Sequence, residues 1–153
     1  MRITGLERAA RPLILSVLTC AFVLAQTEAT PWLPTIAKLA SSLSQNDSVG
    51  ALETLDAHMK DRGAIEADLE ALAAQTDVLC AIDVVEDAVE DKDTGDLHKL
   101  DVDWYMELKS RADGGPTERR RERVQIEVRL VKNKWKIVSI SPMTILAPIH
   151  INN

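Results

Sequence analysis

The chain has 153 residues, 46% of them hydrophobic and 27% charged, with a formal net charge of −6. That length and balance predict one globular domain. They exclude nucleic acid as an expected partner, because affinity for a phosphate backbone comes mostly from cations that displace counterions.

The first 25 residues read as an export signal. Arg2, Arg8 and Arg11 make a positive lead, Leu13 to Leu24 is an apolar run, and Val23-Leu24-Ala25 suits a cleavage site. The run falls well short of the roughly 20 residues that span a bilayer, which disfavours an uncleaved anchor. Leu18-Thr19 before Cys20 fits a lipoprotein signal poorly. The expectation is therefore a signal peptide over 1–25, a single domain over 26–153, and a periplasmic or secreted location. Cleavage after Ala25 leaves 15 basic against 23 acidic side chains, a net charge of −8. It also leaves Cys80 as the only cysteine, so no internal disulfide framework holds the fold. Between Val78 and Ile82, Cys80 reads as a small buried hydrophobe.

Thr30-Pro31 predicts a helix start, with Thr30 as N-cap and Pro31 at the first helical position. Trp32, Ile36, Leu39, Ala40 and Leu43 then fall on one helical face that ends near Asn46. Asp47-Ser48 caps a second helix, in which Val49, Leu52, Leu55 or Asp56, and Met59 keep helical spacing, and Gly50 weakens it. Gly63 precedes a third helix with Ile65, Leu69, Leu72 and Ala73 on its stripe.

Strand patterns follow. Asp77 to Val89 is apolar on both parities, which predicts a strand buried on much of both faces or bent by a bulge. The acidic stretch Glu90 to Asp96 predicts a turn. Its Asp91, Asp93 and Gly95 begin like a calcium loop, but Gly95 stands where a ligand belongs and Val102 where the closing Glu belongs. From Asp101 to Lys109, Val102, Trp104, Met106 and Leu108 alternate with polar residues. Asp113-Gly114-Gly115-Pro116 is a turn. Arg123 to Ile140 then reads as a hairpin turning at Asn133, with Val124, Ile126, Val128 and Leu130 inward. A two-residue loop pairs Leu130 with Ile137, and a three-residue loop pairs it with Val138. Either register leaves apolar side chains on both faces of the last strand, a surplus that predicts a partner subunit. Three helices followed by about four antiparallel strands make an α+β domain with the helices on one face of the sheet.

The order of these elements, the strand D-W-Y-M-E-L at Asp103 to Leu108, and the ending R-L-V-K-N-K-W-K-I-V-S-I resemble the nuclear transport factor 2-like superfamily, including its SnoaL-like members. The resemblance covers about residues 32–147. It implies a cone-shaped, strongly curved sheet around helices, often with a pocket at the open end, and frequently a homodimer formed through the sheet. Members include isomerases, dehydratases, ligand-binding modules and exported proteins of unknown role. The ketosteroid isomerases of this superfamily need a carboxylate base with a Tyr and a protonated Asp as oxyanion donors. The one tyrosine here, Tyr105, alternates away from Trp104 and Met106, so no catalytic residue carries over.

Within such a cone the candidate ligand contacts are Trp32, Trp104 and Trp135 as inward aromatics, Asp83 as a carboxylate inside an apolar run, and His58 near a helix end. The plainer alternatives are core packing for the indoles, a solvated face for Asp83 and a surface position for His58. The histidines have no mutual metal spacing, and neither a metal site nor a cofactor is expected. Arg119, Arg120, Arg121 and Arg123 divide between strand faces, with cross-strand pairing to Glu107, Asp103 or Asp101 expected. Besides a purely structural dimerisation module, two functional readings follow. One is a non-enzymatic exported domain that binds a small apolar ligand or a protein partner. The other is an isomerase- or dehydratase-like enzyme using a carboxylate base in the cone.

Overall fold

The computed structural model describes residues 30–149. The expected export segment, 1–25, lies outside the described residues. Three helices, α1 (Leu33–Ser44), α2 (Ser48–Glu53) and α3 (Arg62–Gln75), precede four strands, β1 (Thr76–Val89), β2 (Leu97–Ser110), β3 (Thr117–Val131) and β4 (Lys134–Ser141). The strands form one antiparallel meander in the order β1-β2-β3-β4, and a short 3-10 turn, Thr144–Leu146, follows it. This is the α+β arrangement expected from the sequence. Among the described residues no helix is long and apolar enough to cross a membrane.

The centre of the domain is the inward stripe of β2. Leu100, Val102, Trp104, Met106 and Leu108 have no exposed surface. Register explains why: Val102 faces Val124 and Leu100 faces Ile126 on β3, so the even-numbered side chains of both strands share one face. Ile36, Leu39, Leu43, Ile65, Leu69 and Leu72 from the helices cover that face, with Ile145, Leu146 and Ile149 from the C-terminal segment.

Several local expectations need correction. α1 begins at Leu33, with Pro34 in its first turn, and Thr30 instead accepts a turn bond from the Leu33 amide at 3.1 Å. α2 stops at Glu53 rather than running to Met59. Asp47 caps it by accepting from the Gly50 amide at 2.9 Å. Its far end is claimed by β4: the Ile137 amide donates to Thr54 O at 2.9 Å and the Asp56 amide donates to Ile137 O at 2.8 Å. Backbone groups already paired to a strand edge cannot continue a helix. Leu55 and Met59 are buried without being helical.

β1 is not buried on both faces. Val78, Cys80, Ile82 and Val84 pack inward, whereas Leu79 and Val85 are 57% and 53% exposed. The expected bulge is present: Val84 pairs with Val102 and Glu86 with Asp101, leaving Val85 as the extra residue. Beyond it the parity reverses, and Asp87 and Val89 take the face of Leu100 and His98. Burial pushes the Cys80 thiol up to about 12, against a smaller opposing effect from Trp104 Nε1, which donates to Sγ at 3.2 Å.

The last hairpin turns through Lys132 and Asn133, with φ of 48° and 61°, the left-handed pair that a two-residue type I′ turn requires. Val131 therefore pairs with Lys134 and Leu130 with Trp135, not with Ile137 or Val138. Val138 is itself the extra residue of a second bulge, so Ile137 and Ile140 both point inward. Val131 and Val138, the remaining apolar residues of the hairpin, are half-buried.

The outer face of the sheet is an ion-pair lattice. Arg121 donates to both carboxylate oxygens of Asp103, at 3.0 and 2.6 Å, and Arg119 donates to Glu107 at 2.7 Å, as the cross-strand reading expected. These guanidinium hydrogen bonds hold both carboxyls below their usual values. Arg120 points the other way. Its side chain, 11% exposed, donates to Glu118 at 2.6 Å, to Ile145 O at 3.0 Å and to Ala147 O. It thereby ties the C-terminal segment to the concave face. Arg120→Ala is expected to cost about 3 kcal/mol, because buried acceptors lose a charged donor. Arg119→Ala should leave the urea midpoint nearly unchanged, since its pair is exposed and screened. Equal losses for the two variants would contradict this division of roles.

Candidate functional site

One end of the sheet gathers chemistry that the rest of the core lacks. Here the bulged end of β1, the start of β2, the β3–β4 hairpin and the first residues of α1 meet. His98 lies inward opposite Val128, with 13% of its side chain exposed. Its Nδ1 is 2.7 Å from Asp87 Oδ1, a contact made because the Val85 bulge turns Asp87 inward. A neutral imidazole that donates from Nδ1 to this carboxylate keeps Nε2 as its acceptor. The imidazole sits between two indoles, 6.2 Å from Trp32 and 5.3 Å from Trp135 in an edge-on arrangement. Trp135 is fixed further where Thr35 Oγ1 donates to its carbonyl at 3.1 Å. Asp87 thus orients His98, and His98 buttresses Trp135.

Trp135 also forms part of a surface groove of about 630 Å³, bounded by Pro31 and Pro34 on one side and Glu53 and Lys136 on the other. A second groove, of about 590 Å³, continues past Leu55, His58 and Val131. The two share Glu53, Lys134 and Lys136, so they form one trough along the outer edge of β4. Inside the cone the space is taken, since the inward side chains of β2 from Leu100 to Leu108 have no exposed surface; the pocket that α1, the α1–α2 connection, α3 and Val78 line is only about 10 Å³. Neither His98 nor Asp87 lines either groove. Among the described residues no group of three His, Cys, Asp or Glu side chains converges on a point that could hold a metal ion.

With this geometry in hand, comparison with known proteins is informative about the fold. No family model matches the sequence, and no curated protein matches it significantly. Solved structures do. A nuclear transport factor 2-like superfamily protein from Salmonella enterica superimposes with a TM-score of 0.53 at 15% identity, covering 78% of this chain and 89% of that one. The chain has the nuclear transport factor 2-like fold. A conserved protein from Planctomyces limnophilus superimposes on this nuclear transport factor 2-like domain with a TM-score of 0.62 at 8% identity, over 72% of this chain and 90% of its own. A proposed scytalone dehydratase from Novosphingobium aromaticivorans gives 0.60 at 10% identity, over 72% and 78%. At such identities the likeness establishes the fold alone.

The five residues singled out from sequence are distributed unequally over the nuclear transport factor 2-like domain. Trp32 and Trp135 come together, joined by His98. His58 is exposed in the α2–α3 connection and lines the second groove; its amide donates to Asp56 Oδ1 at 2.8 Å. Trp104 is core, without exposed surface. Asp83 is exposed on the outer face opposite Asp103, where it adds to the field on Arg121, rather than desolvated in an apolar run. His98 and Asp87 were missed. Extending the even-numbered inward stripe of β2 by one step, from Leu100 to 98, finds the histidine; Asp87 needs the position of the bulge.

Trp32 is 4% exposed, and its Nε1 has no hydrogen-bond partner among the described residues. A buried donor without a partner lowers stability, so Trp32→Phe should change the unfolding free energy by less than about 1 kcal/mol. Trp32→Ala, which also opens a cavity beside His98, should cost about 3 to 5 kcal/mol. Urea denaturation distinguishes them; comparable losses would mean that the indole N–H is satisfied after all.

Proposed function

We propose that this domain is a non-enzymatic interaction module, exported as residues 1–25 suggest, that holds a protein partner in the trough along β4. The observation that carries this reading is the filled cone. Zero exposure of Leu100, Val102, Trp104, Met106 and Leu108 leaves no room for a small apolar ligand or a substrate among them. The concave surfaces that remain are on the outside, and they are open. Open grooves suit an extended segment of polypeptide, which gains its contacts along a length rather than by enclosure.

The rival reading, an isomerase- or dehydratase-like enzyme, has the His98–Asp87 pair in its favour as a proton acceptor held by a carboxylate. A general base must reach the proton it takes. His98 is flanked by Trp32 and Trp135 and borders neither groove, and its role in the present reading is to set the position of Trp135.

Site-specific photo-crosslinking in the native host tests the proposal. A photo-reactive residue in place of Lys134, within the trough, should capture a discrete polypeptide, and Trp135→Leu should abolish capture. The same residue in place of Thr117, remote from the trough, should capture nothing comparable. Equal capture from both positions, or none from position 134, would overturn the reading.

A further inference from the structure

The trough carries the opposite charge to the chain around it. The whole sequence has a net charge of −6, yet Lys38, Lys132, Lys134, Lys136 and Arg62 all line the two grooves. Against them stand only Glu53 and Asp56. Glu53 is spent on Lys38, at 2.5 Å. The other cations have no carboxylate partner among the described residues. Lys136 Nζ donates to Glu53 O, and Arg62 Nη1 donates to Leu52 O at 3.0 Å and to Leu55 O at 3.4 Å. Carbonyl oxygens satisfy donors without neutralising the charge, so these contacts fix cations in place and leave their field directed outward. Lys132, in the tight turn of the hairpin, and Lys134, just after it, are exposed and make no side-chain hydrogen bond within the described residues.

Elsewhere on the sheet several cations are paired. Arg119 and Arg121 meet Glu107 and Asp103, and Arg120 meets Glu118. At the trough four cations without a carboxylate partner among the described residues, Lys132, Lys134, Lys136 and Arg62, lie along one line beside the apolar surface of Trp135, Pro31 and Pro34.

We propose, building on the interaction reading above, that the trough recognises an extended acidic peptide segment, one apolar side chain resting on Trp135 and Pro34 and carboxylates following along Lys134, Lys132 and Arg62. Charge complementarity identifies the partner: each carboxylate laid along this line meets a cation that lacks one. The geometry also separates two contributions. The apolar anchor supplies affinity that salt does not screen, and the carboxylates supply salt-dependent association and selectivity against neutral segments.

The test is selection of a random twelve-residue peptide library on the purified domain, followed by binding of the selected peptides as synthetic, fluorescein-labelled probes. Expected are peptides with several Asp or Glu beside a Leu, Phe or Trp. Lys132→Gln with Lys134→Gln, both exposed and outside the core, should weaken their binding about 10-fold at low salt and flatten its salt dependence. Thermal melting of the double variant should match that of the parent. Selected peptides that are neutral or basic, or acidic ones that bind the double variant equally well, would overturn the charge assignment while leaving the trough as the binding surface. If Trp135→Leu leaves binding of the selected peptides unchanged, they bind elsewhere and the interaction reading itself fails. If sedimentation shows the domain associating with itself and the double variant abolishes that association, the occupant is a second copy and the external peptide is ruled out.

Discussion

The parity of side chains along the sheet is the constraint on which the rest of this structure depends. A strand sends alternate residues to opposite faces, and one inserted residue reverses the assignment of everything beyond it. Val85 in β1 and Val138 in β4 are two such insertions. The first brings Asp87 to the face that holds His98. The second lets Ile137 and Ile140 both reach the core, although an uninterrupted strand would send them to opposite faces. Without these bulges a carboxylate would leave the His98 ring and the last strand would present apolar surface to water. With them, every position of the β2 stripe from Leu100 to Leu108 meets a covering side chain.

Complete coverage moves the accessible chemistry to the rim. The indole of Trp135 links the two regions, because it packs edge-on to His98 on one side and borders the trough on the other. Its position is over-determined by the hydrogen bond from Thr35 to its carbonyl, by the imidazole and by the turn at Lys132-Asn133. An aromatic side chain held in this way loses little conformational freedom when a partner docks, which is how a half-exposed indole becomes an anchor. Of the cations around it, Lys136 and Arg62 are held by backbone carbonyls, while on the outer face of the sheet Arg119 and Arg121 are spent on internal pairs.

Much of the fold was legible because long alternating stripes have one physical meaning. Val102 to Leu108 and Val124 to Leu130 face the helices as their spacing predicted, and the paired arginines followed from register alone. What remained hidden depended on single residues. A bulge leaves no compositional mark, so the two-sided apolar character of Asp77 to Val89 was legible as a bend but not as a parity switch, and Asp87 was lost with it. The end of α2 at Glu53 was not legible, because it is set by hydrogen bonds to Ile137, far along the chain. Of the candidate site, Trp32 and Trp135 were found as inward aromatics. Trp104 shares the inward strand pattern of Trp135 and differs in depth, a property that spacing does not encode.

The central claim is that the cone is filled and that binding belongs to its outside. Xenon under pressure, followed in crystals or by NMR, enters apolar cavities of useful size and leaves packed interiors empty. The account predicts no xenon site among Leu100, Trp104, Met106 and Ile126. A xenon atom bound there would reveal room for a ligand inside the cone and contradict it.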